Sequence, residues 1–176
     1  MNVSFEFMGE EEVKPRKGAG FQPRPYQVDA VEKTINDLGN TEACGLYLAT
    51  GTGKTEVAAT LMSRWTDGGI LFIAPRRELV RQTAARLRGH GVDCGIEMAQ
   101  DRSDQRITVA CYASLRSKER YKRFLKQVKL VIVDEAHVNY STNSLDMLGE
   151  FRSWGAKVVA MTASPPNKRG EDFVLR

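Results

Sequence analysis

The sequence predicts an α/β fold with a mainly parallel sheet and helices on both faces. Three observations carry this. From residue 43 onward, short apolar runs of strand length alternate with segments of helical spacing. Two of the runs, Ile70-Leu71-Phe72-Ile73-Ala74 and Leu130-Val131-Ile132-Val133, are apolar throughout, as strands covered on both faces must be. The residues able to do chemistry fall at the expected carboxyl ends of strands or at helix starts, where open parallel sheets bind ligands.

Composition sets the bounds. A chain of 176 residues fits one α/β domain, or one domain with a tail, and 41% apolar against 27% charged residues is ordinary for a soluble globular protein. No apolar run approaches the roughly 18 residues of a membrane span, and Met1 to Glu6 lack a secretory leader's basic start, so a cytosolic protein is expected. Cys44, Cys94 and Cys111 are widely spaced and only two histidines are present, which suggests core cysteines and neither a disulfide framework nor a zinc site. The net charge of +4 suits a polyanionic partner without identifying one.

The elements follow in order. Residues 1–20 mix acids, bases and glycines without a period and are expected to form a loosely held arm; alternating Val3, Phe5 and Phe7 leave an edge strand open. Pro23 and Pro25 fix an extended approach to a helix carrying Val31, Ile35 and Leu38, ended by Gly39-Asn40. Residues 43–49 read as a strand, and Lys54 to Trp65 as a helix with Val57, Ala58, Leu61, Met62 and Trp65 on one face. A turn at Asp67-Gly68-Gly69 leads into the strand 70–74, then Arg77 to Arg88 form a helix with Leu79, Val80, Thr83, Ala84 and Leu87 inward. Val92 to Met98 and Ile107 to Cys111 are shorter strands. Ser114 opens a basic helix with Tyr121, Phe124, Leu125 and Val128 inward, its charges Arg116, Lys118, Arg120, Lys122, Arg123, Lys126 and Lys129 forming either a solvated face or a polyanion contact. The strand 130–133, a helix over 142–152 and a strand over 158–161 complete the domain.

Between the first of these strands and its helix lies Leu48-Ala49-Thr50-Gly51-Thr52-Gly53-Lys54-Thr55. Gly51 and Gly53 allow the tight turn that aims successive N–H groups into one concavity, and the following helix adds its positive end. A phosphate-binding loop of this kind places Lys54 on the β- and γ-phosphates and the Thr55 hydroxyl on Mg²⁺. Leu48 stands where the strict pattern has glycine. After the strand 130–133 come Asp134-Glu135-Ala136-His137, at the same sheet edge. There Asp134 suits a Mg²⁺ ligand opposite Thr55, and Glu135 a base for the attacking water.

In this ordered company the sequence resembles the superfamily 2 helicases and translocases, over residues 21 to about 170. The resemblance implies a RecA-like P-loop NTPase lobe that uses ATP and Mg²⁺, bound along Thr50, Gly51, Thr52, Gly53, Lys54 and Thr55; the loop without the earlier glycine is common in that family. Arg24-Pro25-Tyr26-Gln27 resembles its adenine-recognition segment, which implies that Gln27 reads the adenine edge and that Arg24 or Tyr26 frames the base; taken alone, Gln27 suits an ordinary helix residue. Ala74 to Gln82, with Pro75, Arg76 and Arg77, is similar to a motif that touches the nucleic-acid backbone, and Thr108 to Leu115 resembles a second, with Tyr112 and Ser114 as contacts. Core packing is the other role for Tyr112. Asp134 to His137 matches the family's hydrolysis motif, which makes Lys54, Asp134, Glu135 and His137 the implied catalytic set. Thr162-Ala163-Ser164-Pro165 is similar to the segment that couples hydrolysis to nucleic acid, Thr162 and Ser164 bonding Asp134 or His137; a turn cap is their plainer role. The family implies a second lobe, in cis or in trans, bringing an arginine finger, with 171–176 as the start of the linker. The start at Arg24 and the Thr108 to Leu115 segment look closer to repair and recombination translocases, which favours DNA over RNA.

Overall fold

The computed structural model describes residues 22–138 and 141–163; the arm over 1–20, Ser164 and the linker over 171–176 lie outside them. Helix α1 (Pro25–Asn40) begins with proline at its first position, where a missing N–H costs nothing, and buries Gln27, Ala30, Val31, Thr34 and Leu38 at helical spacing. It is followed by β1 (Ala43–Tyr47), α2 (Lys54–Arg64), β2 (Gly69–Ala74), α3 (Arg77–Gly89), β3 (Gly95–Glu97) and β4 (Ile107–Cys111). Then come α4 (Tyr112–Leu115), α5 (Lys118–Lys122), β5 (Val128–Val133), a 3₁₀ turn (Ala136–Val138), α6 (Thr142–Ser153) and β6 (Lys157–Thr162). No helix among the described residues is long and apolar enough to cross a membrane.

The six strands form one sheet in the order β1-β6-β5-β2-β4-β3, every pairing parallel. All six carboxyl ends therefore meet one edge. β2 is buried along its whole length, and its residues divide by parity: Ile70, Phe72 and Ala74 pack under α1, α2 and α3, while Leu71 and Ile73 join Tyr121, Phe124 and Phe151 on the opposite face. Cys44, Cys94 and Cys111 are buried and unpaired, and burial pushes the Cys44 thiol up to about 12. Helix α2 is less one-sided than its sequence implies. Val57 to Met62 are all buried, because α1 and α3 flank it while the sheet lies beneath.

The single basic helix expected from Ser114 is not formed. Tyr121, Phe124, Leu125 and Val128 are buried as their spacing requires, yet the spacing arises from α5 and a series of turns. Phe124 N–H donates to Tyr121 O at 2.9 Å and Gln127 N–H to Phe124 O at 3.2 Å. Ser117 stands extended between α4 and α5, at φ −75° and ψ 122°, and breaks the helix, while Val128 already belongs to β5. A period shared by helices and consecutive three-residue turns cannot separate them. The strand expected over 92–98 contracts to Gly95–Glu97, since Val92 stays on the turn after α3, its N–H donating to Leu87 O at 2.9 Å.

Candidate nucleotide site

The strand order decides what meets at the carboxyl edge. β6 lies between β1, which feeds the glycine loop, and β5, which feeds Asp134-Glu135. With neighbouring strands about 4.8 Å apart, the two segments stand about 10 Å from each other, a gap that one lysine and one glutamate side chain can close. They do: Lys54 Nζ forms an ion pair and hydrogen bond with Glu135 Oε1.

The loop itself is held from three sides. Leu48 N–H donates to Thr162 O of β6 at 3.0 Å, and Thr52 returns to Ala49 O through its N–H at 3.2 Å and its hydroxyl at 2.7 Å. From α1, Tyr26 Oη donates to Thr52 O at 2.7 Å and Gln27 Nε2 to the same oxygen at 3.0 Å. Gly51 and Gly53 hold φ +85° and +83°, the left-handed region that glycine enters without strain. Gly53 meets a second demand, because a Cβ there would lie 2.7 Å from Gln27 Nε2 and 2.8 Å from Glu56 Oε2. Gln27 is buried, and its Oε1 accepts Arg24 N–H at 2.9 Å. Its amide thus braces the loop through Thr52 O and caps α1 through Arg24 N–H, while Nε2 also meets Tyr26 Oη at 3.4 Å and Oε1 keeps a second lone pair. Glu56, in the first turn of α2, reaches Arg86 of α3 at 3.2 Å.

Opposite the loop, Asp134 and Glu135 have different environments. Burial raises the Asp134 carboxyl above its ordinary range and the Lys54 ammonium opposes that shift; Asp134 Oδ1 accepts Glu135 N–H at 3.0 Å. Glu135 has φ +47°, an uncommon conformation for a residue with a side chain and one that collects at working sites. Its Oε2 is buried without a hydrogen bond, 3.4 Å from His137 Nδ1. That imidazole nitrogen also meets Thr162 Oγ1 at 2.9 Å, so the structure joins His137 to Thr162, as the coupling segment's resemblance implies. Ser164 lies outside the described residues.

The donor set fits a magnesium polyphosphate. A glycine loop at a helix start, a lysine held by an exchangeable carboxylate, a half-buried Asp134 carboxyl and an unsatisfied Glu135 oxygen all face one edge. Thr55 and Asp134 are the residues suited to the cation, and Thr50 to Thr55 with Lys54 to the phosphates.

The remaining predicted contacts are spread along the same edge. Arg76 and Arg77 are exposed at the start of α3, beyond the half-buried Pro75. Tyr112 is engaged internally, with its hydroxyl 2.8 Å from Ser141 Oγ and accepting from Ser144 Oγ at the start of α6. Ser114 Oγ accepts Ala99 N–H at 3.2 Å. Of the seven basic residues between 116 and 129, Arg120 and Arg123 turn onto the buried Glu97 and Lys129 donates to Trp154 O, leaving Arg116, Lys118, Lys122 and Lys126 exposed. Neither Glu97 nor Glu56 stands out as a site residue in the sequence. The available signal for Glu97 was an acid inside an otherwise apolar strand, which needs a buried counter-charge.

An all-parallel sheet with a glycine loop after an edge strand and an acidic pair after β5 is the architecture of a RecA-like nucleotide-binding lobe. The chain belongs to the family described as the res subunit of type III restriction enzymes, which matches residues 20–167, and its lobe is of the superfamily 2 helicase type. A type I restriction enzyme subunit, the EcoAI endonuclease subunit of Escherichia coli, is 30% identical over 84% of this chain and 20% of its own length. The putative ATP-dependent helicase IRC3 of Saccharomyces cerevisiae is 30% identical over 74% of this chain and 21% of its own. Among solved structures, the DEAH/RHA helicase HrpB of Escherichia coli superposes with a TM-score of 0.70 at 21% identity, over 84% of this chain and 21% of that one, which is a likeness of fold. The chain thus spans about a fifth of the length of these two relatives.

Proposed function

We propose that this chain is the ATP-binding lobe of an ATP-dependent helicase or translocase acting on nucleic acid, DNA in preference to RNA. The Lys54–Glu135 pair across the loop mouth is the observation that carries the proposal, because it brings a phosphate-binding cation and a candidate base into contact before any substrate arrives. On this reading, ATP displaces Glu135 from Lys54; the ammonium then bonds the phosphates while the freed carboxylate orients the attacking water and accepts its proton. Thr55 and Asp134 hold the magnesium ion, which neutralises phosphate charge when bound. Gln27 offers the adenine edge a carbonyl lone pair and, in exchange for its 3.4 Å contact with Tyr26 Oη, an N–H, with Arg24 and Tyr26 framing the base. The His137–Thr162 contact links Asp134-Glu135 to β6 and so to the coupling segment.

A second lobe, in cis or in trans, supplies the arginine that stabilises charge on the γ-phosphate, a group worth about 10³ to 10⁵ in rate in other phosphoryl-transfer systems. The single lobe accordingly binds Mg·ATP weakly and turns it over slowly. Titrating labelled DNA and RNA strands with the chain over a range of salt, with and without a non-hydrolysable ATP analogue, tests the assignment. Weak, salt-sensitive binding that the analogue alters, stronger for DNA, is expected. Tight binding by this lobe alone would instead make it a stand-alone, nucleotide-dependent nucleic-acid-binding module without unwinding activity.

A further inference from the structure

Among the described residues, a charge cluster outside the nucleotide site is centred on Glu97, at the carboxyl end of β3. Its side chain is 0% exposed, and three guanidiniums surround it: Arg102 at 3.4 Å, Arg120 at 3.3 Å and Arg123 at 3.2 Å. Ser103 N–H completes the shell at 3.2 Å from Oε2. Burying a carboxylate is costly unless charge and hydrogen bonds compensate it throughout, as here. Such a cluster fixes whatever its arginines hold.

Two of them hold backbone carbonyls, Arg123 that of Ser103 and Arg120 that of Ala99. Arg120 donates to Ala99 O as well as pairing with Glu97, and Ala99 N–H donates to Ser114 Oγ at 3.2 Å. Ala99 is left-handed at φ +53°, a conformation that alanine keeps only when its surroundings impose it. Gripped at its carbonyl by Arg120 and at its amide by Ser114, the residue is over-determined. A serine hydroxyl has one proton to give. Because Ser114 Oγ accepts from Ala99, the lone pair facing the backbone is occupied and its proton is left for a partner elsewhere.

From this contiguous chain of contacts, Glu97 to Arg120 to Ala99 to Ser114, we infer that Glu97 is a positioning residue for nucleic-acid binding: it orients the Ser114 hydroxyl as a donor to a backbone phosphate. The inference rests on the assignment of Ser114 as a nucleic-acid contact.

Simple electrostatics makes the opposite prediction for the decisive variant. Glu97→Gln removes a negative charge next to three arginines, which by charge alone tightens binding of a polyanion. Acting through Ser114, it weakens binding instead. The experiment measures the affinity of the chain for a fluorescent oligodeoxythymidine by anisotropy, in low salt and with an ATP analogue present, for Ser114→Ala, Glu97→Gln, Arg120→Met and the double variant Ser114→Ala with Glu97→Gln. Arg120→Met leaves Glu97 with two arginines, so it retains a paired core should Glu97→Gln fail to fold. About a fivefold loss is expected for each single variant, the scale of one positioned hydrogen bond. The double variant loses no more than Ser114→Ala, since both changes act on one contact, and affinity for the ATP analogue stays at the native value in all four. If Ser114→Ala binds like the native chain, the nucleic-acid assignment of Ser114 fails. If Ser114→Ala weakens binding while Glu97→Gln tightens it, or while a folded Arg120→Met binds as the native chain does, the assignment stands and the relay is overturned.

Discussion

Replacing Glu135 with Gln is expected to tighten Mg·ATP binding and remove hydrolysis together. The Glu135 carboxylate is the counter-ion of Lys54, and the two side chains are only 27% and 16% exposed. Any phosphate must displace that carboxylate, so part of the phosphate's binding energy is spent on the exchange. The amide is nearly isosteric but uncharged, and it competes less well. A partly buried pair of this kind corresponds to about 1 kcal/mol, or about fivefold in affinity. The same change removes the group placed to take a proton from water, which in general base catalysis is worth about 10² to 10⁴ in rate. Fluorescent-ATP titration and single-turnover hydrolysis with protein in excess measure the two effects on one sample. Weaker binding with hydrolysis retained would mean that Glu135 anchors Lys54 and takes no part in the chemistry.

The second large effect is on the loop. Gly53→Ala and Gly51→Ala introduce the same methyl group at nearly the same backbone conformation, φ +83° and +85°, and each incurs about 1 kcal/mol for the left-handed region. They differ in what the methyl meets. At Gly51 nothing lies within 4 Å, whereas at Gly53 the Gln27 and Glu56 head groups lie 2.7 and 2.8 Å away. The Gln27 head group is buried and tied to Arg24 and Thr52, so it resists displacement more than Glu56, whose Oε1 pairs with the exposed Arg86. We therefore expect Gly53→Ala to destabilise the fold by about 2 to 4 kcal/mol, against about 1 for Gly51→Ala, and to abolish Mg·ATP binding because it displaces the amide that braces Thr52. Urea unfolding monitored at the tryptophans gives the comparison. Equal losses for the two variants would show that backbone conformation alone, and no crowding by Gln27 and Glu56, requires glycine there.

These contrasts indicate what a sequence can reveal. The α/β class and the sites of Lys54, Asp134 and Glu135 are legible because strand-length apolar runs, glycines before a helix and acids after a strand are local patterns with one common structural cause. The strand order is not local. That β6 separates β1 from β5, and so sets the gap that Lys54 and Glu135 bridge, depends on long-range pairing that no window of residues contains. The false helix at 114–129 has a related origin, as its period fitted helix and turns equally. Its charges misled for another reason: Arg120 and Arg123 look like surface residues until Glu97, more than twenty positions away, comes to lie beneath them. Gln27 shows the limit within a motif, since its identity suggested a base reader while its first task in the fold is to hold Thr52.

The central claim is that the loop around Lys54 is a phosphate site completed on one side by this lobe. Its most direct test is calorimetric titration of the chain with Mg·ATP, beside Lys54→Ala. We predict weak but saturable binding to the native chain, lost by a factor of about 100 or more in the variant as two charge-assisted contacts disappear. Equal affinity of the two proteins for Mg·ATP would contradict the claim.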